Sequence, residues 1–311
     1  VAAWVGLGAE ELARAARLLV LRGSREATGL FAGNYASAFR GGGIEFEESR
    51  PWAPGDDVAT FDWNATARTG EPHVKRFRAE RNQTVFFALD VSGSMRFGST
   101  GTSKLETAVT ALALLASAAA RAGDRIALLA FDAAVRASLA PGRGAAHALR
   151  VVRAAAGFLA EPGGGTRLAA GLRGLETAAR RRGVVILLSD FLDPALLAPG
   201  SSAAEELARL ARRHDLVAVS VGDPRELELA AAGGVRVADP EEPADRFFLP
   251  TSSPRARRRY REAAARRREA VAAALQRSGA DLVWLDTTRS PLHELARFLH
   301  ERAGRRLRRA P

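Results

Sequence analysis

Cysteine is absent from all 311 residues, which excludes disulfide scaffolds, thiolate zinc sites and cysteine nucleophiles together. Lysine is nearly absent: apart from Lys75 and Lys104, all of the 46 basic residues are arginines. Histidine is sparse as well. His73, His147, His214, His293 and His300 are scattered without zinc-ligand spacing, so core or surface roles are expected. Aromatics make up only 6%, so Leu, Val and Ala must fill the interior that a 47% hydrophobic content supports. No apolar run is long enough for a bilayer, and the longest, Val109 to Ala120, reads as a buried helix. Val1 to Gly8 lacks the basic flank and length of a signal peptide, and the cytoplasm is the expected location. A first residue of Val rather than Met points to a trimmed or non-standard start.

What is present suits one large α/β domain with an appendage, or two small domains. The net charge of +11 would fit a nucleic acid or an anionic lipid. Set against that, the near-exclusive use of arginine beside abundant alanine reads as a composition bias. Residues 9–22 have the spacing of an amphipathic helix. Gly41-Gly42-Gly43 precedes a short alternating strand around Ile44 to Glu48, Pro51, Pro54 and Gly55 mark a turn, and a further strand is expected near His73 to Glu80.

From Thr84 onward strands and helices alternate. Strands are predicted at Thr84–Asp90, Arg125–Phe131, Val184–Ser189, Asp215–Val221 and Asp281–Asp286, with Ala134–Leu139 as a short antiparallel partner. Helices are predicted at Lys104–Arg121, 144–159, 167–181, 203–213, 255–277 and 291–303, and a hairpin at 235–249. Nearly continuous apolar strands separated by helices imply a Rossmann-like α/β fold, a mostly parallel wound sheet with helices on both faces. The expected division is residues 1–82 as a helix and β-containing segment packed on the main domain, and 83–311 as that domain.

Ligands of open α/β sheets gather beyond the carboxyl ends of the strands. The chemistry should therefore follow Leu89 and Ser189, and an aspartate stands at each place. Asp90, Ser92 and Ser94 put oxygens at every second position, with Gly93 free to bend the loop. Hard cations such as magnesium take oxygen ligands, few carboxylates and some retained water. Pro162-Gly163-Gly164-Gly165-Thr166 adds a loop ending in a hydroxyl, and Asp190 follows a strand that the topology should set beside the first. Singly, Thr166 reads as a helix N-cap and Asp190 as a turn residue before Pro194. Jointly, and in this order, the five residues favour a metal site.

This set resembles the metal-ion-dependent adhesion site of von Willebrand factor A domains. The resemblance implies that Ser92, Ser94 and Thr166 ligate a divalent ion (Mg2+, or Mn2+ or Ca2+) and that Asp90 and Asp190 bind it directly or through water. A carboxylate from a partner would fill the open position. Two aspartates can at most neutralise a dication, and three neutral hydroxyls leave it electrophilic.

The N-terminal half narrows the resemblance. Gly41-Gly42-Gly43-Ile44-Glu45-Phe46, Arg50, Pro54-Gly55-Asp56-Asp57, Phe61-Asp62-Trp63 and Ala67-Arg68 are similar to the bacterial family called domain of unknown function fifty-eight. Ala59 and Thr60 depart from it where basic residues are usual, and the hydrophobic N-terminal segments of many members are lacking. For Asp56, Asp62, Trp63 and Arg68 structural roles are expected, with Trp63 packed on the sheet and Asp62 paired with an arginine. Members are encoded beside MoxR-type AAA+ ATPases, which implies such a partner in protein assembly or maturation.

Two rival classes stand against this reading. A metal-dependent hydrolase with an aspartate nucleophile would want an acidic residue where Ser92 stands, and no phosphate-binding or dinucleotide glycine loop or nucleophile elbow occurs. An enzyme is therefore not expected. Nucleic-acid binding is suggested by Arg255, Arg257, Arg258, Arg259, Arg261, Arg266, Arg267 and Arg268. The same helix carries Tyr260, Ala264, Val271 and Leu275 at the spacing of a buried stripe, which makes the arginines a solvated face.

Overall fold

The computed structural model describes residues 30–39, 44–53, 61–79, 83–198, 200–238 and 246–307. The helix expected over 9–22, the triple glycine at 41–43 and the segment containing Pro54, Gly55, Asp56, Asp57, Ala59 and Thr60 lie outside them. So does Glu80, the last residue of its expected strand.

Runs of β-branched and aliphatic residues form the central strands, and each run ends where a polar or turn residue appears. Six strands make the main sheet: β3 (Thr84–Asp90), β4 (Arg125–Phe131), β5 (Val135–Arg143), β6 (Val184–Ser189), β7 (Asp215–Gly222) and β10 (Asp281–Asp286). Their spatial order is β10-β7-β6-β3-β4-β5. All neighbours pair in parallel except β4 with β5, so the expected antiparallel partner is present and has the edge position. The mostly parallel α/β sheet is thus as the sequence pattern implies.

Both faces are covered. On one, α3 (Lys104–Arg121), α4 (Gly144–Gly157) and α9 (Pro291–Leu307) pack on alternate strand residues such as Val85, Phe87 and Leu89. On the other, α5 (Leu168–Ala178), α6 (Ser202–Arg213) and α8 (Pro254–Ser278) cover Phe86, Ala88, Val185 and Leu187. The period-2 alternation of a strand sends adjacent residues into these two separate cores. α1 (Leu30–Phe39) joins the first core through Phe31, Tyr35 and Phe39. It is held to α9 by the buried Arg302, which donates to the Ala38 carbonyl at 3.0 Å and pairs with Asp215 and Asp281.

Away from the sheet, β1 (Ile44–Pro51) pairs antiparallel with β2 (His73–Ala79), and between them lies α2 (Trp63–Thr69). Asp62 caps α2 by accepting from the Ala65 N–H at 3.1 Å. Trp63 departs from its expected place on the sheet: it is 71% exposed and stacks on Phe61, with ring centroids 5.3 Å apart. As the first residue of a short helix it points outward from Asp62, whose side chain takes the inward position. A short helix α7 (Pro224–Leu227) follows β7, and β8 (Gly234–Ala238) with β9 (Arg246–Pro250) forms the expected hairpin. Among the described residues no helix is long and apolar enough to cross a membrane.

Candidate metal centre

β3 lies between β4 and β6, and the chain leaves β3 toward β4 but leaves β6 toward β7. The two exit loops diverge there. Such a point in a wound sheet opens a crevice at the carboxyl ends of the strands, and Asp90 ends one strand while Asp190 follows the other.

Asp90 is wholly buried. One oxygen accepts the Ser92 N–H at 3.0 Å and the other the Ser189 hydroxyl at 2.6 Å. The tight turn this closes brings Ser92 Oγ within 3.2 Å of Ser94 Oγ. Neighbouring oxygens in an octahedral magnesium shell lie about 3 Å apart, given metal–oxygen distances of about 2.1 Å. The two hydroxyls therefore have the spacing of adjacent ligands to one cation. Burial, and next the charge of Asp190, push the Asp90 carboxyl up to about 7, against the hydrogen bonds from Ser189 and Ser92. Two carboxylates crowded in a dry site are what a dication would relieve.

Asp190 is buried as well, and its oxygens accept the Leu192 N–H at 3.0 Å and the Lys104 ammonium at 2.7 Å. The next residue, Phe191, is buried at φ 55°, a left-handed conformation that costs a side-chain-bearing residue of order 1–3 kcal/mol. The Ser189 hydroxyl accepts the Phe191 N–H at 3.0 Å and thereby helps to hold the turn. By accepting the Leu192 N–H, Asp190 also closes the turn expected of it before Pro194, and Asp193 caps the 3-10 helix Pro194–Leu197.

Thr166 sits half-buried in the glycine loop, at the same rim of the sheet. That loop is fastened by the Gly93 N–H, which donates to the Gly164 carbonyl at 2.8 Å, and by the Arg167 N–H, which donates to the Asp132 carbonyl at 3.2 Å. Thr166 is not the helix N-cap; Arg167 has that position, and α5 starts at Leu168. Asp90 at the end of β3, Ser92 and Ser94 just after it and Asp190 after β6 thus stand at one rim with the Thr166 loop fastened beside them, and side-chain contacts or charge link Asp90 directly to Ser189 and Asp190 and link Ser92 to Ser94. Hydroxyl and carboxylate oxygens are the donor types a hard cation takes, and the Lys104 ammonium already meets one oxygen of Asp190. Among the described residues no group of three or more His, Cys, Asp or Glu is placed to hold one.

Four residues at this rim escaped the sequence reading. Lys104 is fully buried and bonds both Asp190 and Glu226. Burial pulls its pKa down, but the two carboxylates outweigh burial and raise it. Ser189 reads as the end of an apolar strand. Asp132, after β4, is paired with Arg136 at 2.5 Å beside the glycine loop. Their signal was weak: Lys104 follows the helix cap Ser103, which masks it as a first-turn residue.

A family model described as "Protein of unknown function DUF58" matches residues 48–270. The chain belongs to this family. Its similarity extends to the uncharacterized protein Rv1480 of Mycobacterium tuberculosis and the uncharacterized protein Mb1516 of Mycobacterium bovis, each 33% identical over 293 residues that cover 94% of this chain and 90% of the relative. Among solved structures, BatB from Bacteroides thetaiotaomicron is similar over 71% of this DUF58 chain and 99% of its own, at 16% identity and a TM-score of 0.43. A von Willebrand factor type A protein from Catenulispora acidiphila is similar over 74% of this chain and 44% of its own, at 17% identity and a TM-score of 0.39.

Proposed function

We propose that this DUF58 protein is a non-catalytic interaction module that grips an acidic residue of a partner protein through a divalent cation, Mg2+ or a similar hard ion. The observation that carries the reading is the pairing of buried Asp90 and Asp190 across β3 and β6, beside two hydroxyls 3.2 Å apart. Asp90, Ser92, Ser94, Thr166 and Asp190 would hold the ion. When bound, it supplies an electrophilic position for a carboxylate. Ser189 fixes one oxygen of Asp90, and Lys104 takes up charge from Asp190, so the protein's own ligands leave the ion short of negative charge. A MoxR-type AAA+ ATPase is the proposed partner, in protein assembly or maturation. That part of the proposal draws on the family resemblance.

Nucleic-acid binding finds less support. Of the arginines on α8, Arg261 pairs with Glu228, Arg257 donates to the Thr251 carbonyl at 2.7 Å, Arg267 to the Leu192 carbonyl at 2.5 Å, and Arg268 lies 4.2 Å over the Trp284 ring. Those side chains are engaged by the protein itself.

The test is a calorimetric Mg2+ titration of wild type and Asp90→Ala, followed by pull-down of the MoxR-type ATPase with and without chelator. Wild type should bind Mg2+ weakly alone and more tightly with the partner, because the last ligand comes from outside; Asp90→Ala should bind neither. Equal yields of ATPase in chelator would refute the metal bridge.

A further inference from the structure

Away from the metal rim, toward the amino ends of β3 and β4, a pocket of ≈ 260 Å³ lies between α5 and the outer strand β5. Phe86, Ala127, Leu129 and Leu175 are buried around its floor. Of the described residues that line it, only Ser138 offers a polar side chain, and none is a carboxylate.

Arginines stand around the opening. Arg125 shares a sheet face with Ala127, two residues on, and donates to the carbonyl of Pro141, itself in the lining, at 3.2 Å. Arg143 is directly opposite Arg125 in the β4–β5 ladder, so it too lies on that face. Arg180, Arg181 and Arg182 follow Ala178, which lines the pocket at the end of α5. Their loop reaches Gly183 beside Thr84, about 10 Å or two strand spacings from Arg125. All five arginines are exposed, and among the described residues none has a carboxylate partner. The acids nearest them in sequence are engaged elsewhere, Asp124 by Tyr35 and Glu176 by Arg209. Like charges directly across a ladder destabilise it, so Arg125 and Arg143 call for an anion, while the hollow between them and α5 calls for an apolar group.

We propose that this pocket holds the acyl chain of an anionic lipid, with the carboxylate or phosphate of its head among Arg125, Arg143 and the Arg180–Arg182 run. The site is separate from the candidate metal centre and does not depend on it. Pockets for drug-sized ligands span about 300–1,000 Å³, so this smaller hollow suits one unbranched chain. A peptide suits it less: entering amide groups would lose water and find a single hydroxyl, whereas an acyl chain has no polar group to satisfy. A nucleic-acid base fails on the same ground, because its edge carries donors and acceptors that the lining does not answer.

The test titrates fluorescent dansyl-undecanoic acid with the full chain, then competes it with myristate, monomeric lysophosphatidylglycerol and the uncharged myristyl alcohol. Both anionic lipids should displace the probe, and the alcohol should do so at least about tenfold less well. Two variants are compared with wild type: Arg143→Glu, which reverses an exposed charge, and Ala178→Phe, which fills the exposed mouth from α5. Each should weaken probe binding about tenfold, with the melting temperature and the Mg2+ titration unchanged. Equal displacement by the alcohol, full probe affinity in either variant, or displacement by an oligonucleotide or polyglutamate would overturn the proposal. Sedimentation with phosphatidylglycerol vesicles tells the source of the lipid: recruitment that Arg143→Glu abolishes means a membrane surface, and no recruitment means free lipid.

Discussion

At the scale of single residues, Lys104 is the least expected side chain in the protein. Arginine serves nearly everywhere else that a cation is needed, yet the fully buried position between Asp190 and Glu226 holds a lysine. A guanidinium is wide and planar, whereas an ammonium is a compact point charge with three donors, and from the first turn of α3 it meets Asp190 and Glu226 together. In the proposed metal site its charge would set how strongly a dication is attracted. Replacing it by methionine, Lys104→Met, keeps the length of the side chain and leaves Asp190 and Glu226 uncompensated. Breaking a buried pair typically costs about 3–5 kcal/mol, and Glu226 is partly open to solvent, so the lower end applies. The metal-free variant should therefore melt several degrees below wild type. Mg2+ or Ca2+ should restore much of that loss, because a dication can replace the missing charge. Thermal melts with and without the ions check this, and a variant that gains no more from the ions than wild type does would detach Lys104 from the metal chemistry.

At the scale of elements, the glycine loop shows how the rim is assembled. The sequence reads 162–166 as a loop ending in a hydroxyl, but Gly163 has a tighter duty. A Cβ there would lie 2.6 Å from the backbone nitrogen of Gly93, so the loop can approach the Asp90–Ser94 turn only without a side chain. Gly163→Ala should push the Thr166 loop away from Ser92 and Ser94 and weaken Mg2+ binding about tenfold. The sheet itself does not pass through this contact, so the melting temperature without metal should move by less than 3 °C, about 1 kcal/mol or less for a domain of this size. A calorimetric titration beside a thermal melt separates the two effects. The elements themselves were largely legible, because buried parallel strands such as Val184–Ser189 are unbroken apolar runs bounded by charged or turn residues. The neighbourhood of Asp90 and Asp190 was legible too, since right-handed crossovers leave few places for the fourth strand of the sheet. Side-chain direction was less so. Trp63 carries the composition of a core residue, but Asp62 capping the helix beside it turns the indole outward. Ser189 and Glu226 were hidden because their partners are distant in sequence.

For the molecule as a whole, the site and the fold pull stability in opposite directions as pH changes. Asp90 has its carboxyl raised to about 7 in the folded protein, against an ordinary value near 3.8 when unfolded. Between those values the folded state holds a proton that the unfolded state has released, so this group's contribution is fully present below pH 4 and is lost as pH rises through 7. His214 acts the other way. It is buried, neither ring nitrogen has a hydrogen-bond partner among the described residues, and burial, followed by the nearby Arg213 and Arg182, lowers its pKa. Its contribution is present above its ordinary value of 6.5 and declines as pH falls below it. A cation at Asp90 competes with the proton there and leaves His214 untouched. Saturating Mg2+ should thus raise the melting temperature more at pH 8 than at pH 5, by at least twofold. In Asp90→Asn, which keeps an oxygen for the Ser92 N–H but carries no charge, the Mg2+ response should vanish at both values. That variant should also melt higher than metal-free wild type at pH 8, by on the order of 1 kcal/mol of added stability, because the buried charge has been removed. A Mg2+ response that stays the same at the two pH values would mean that the ion binds somewhere other than beside Asp90.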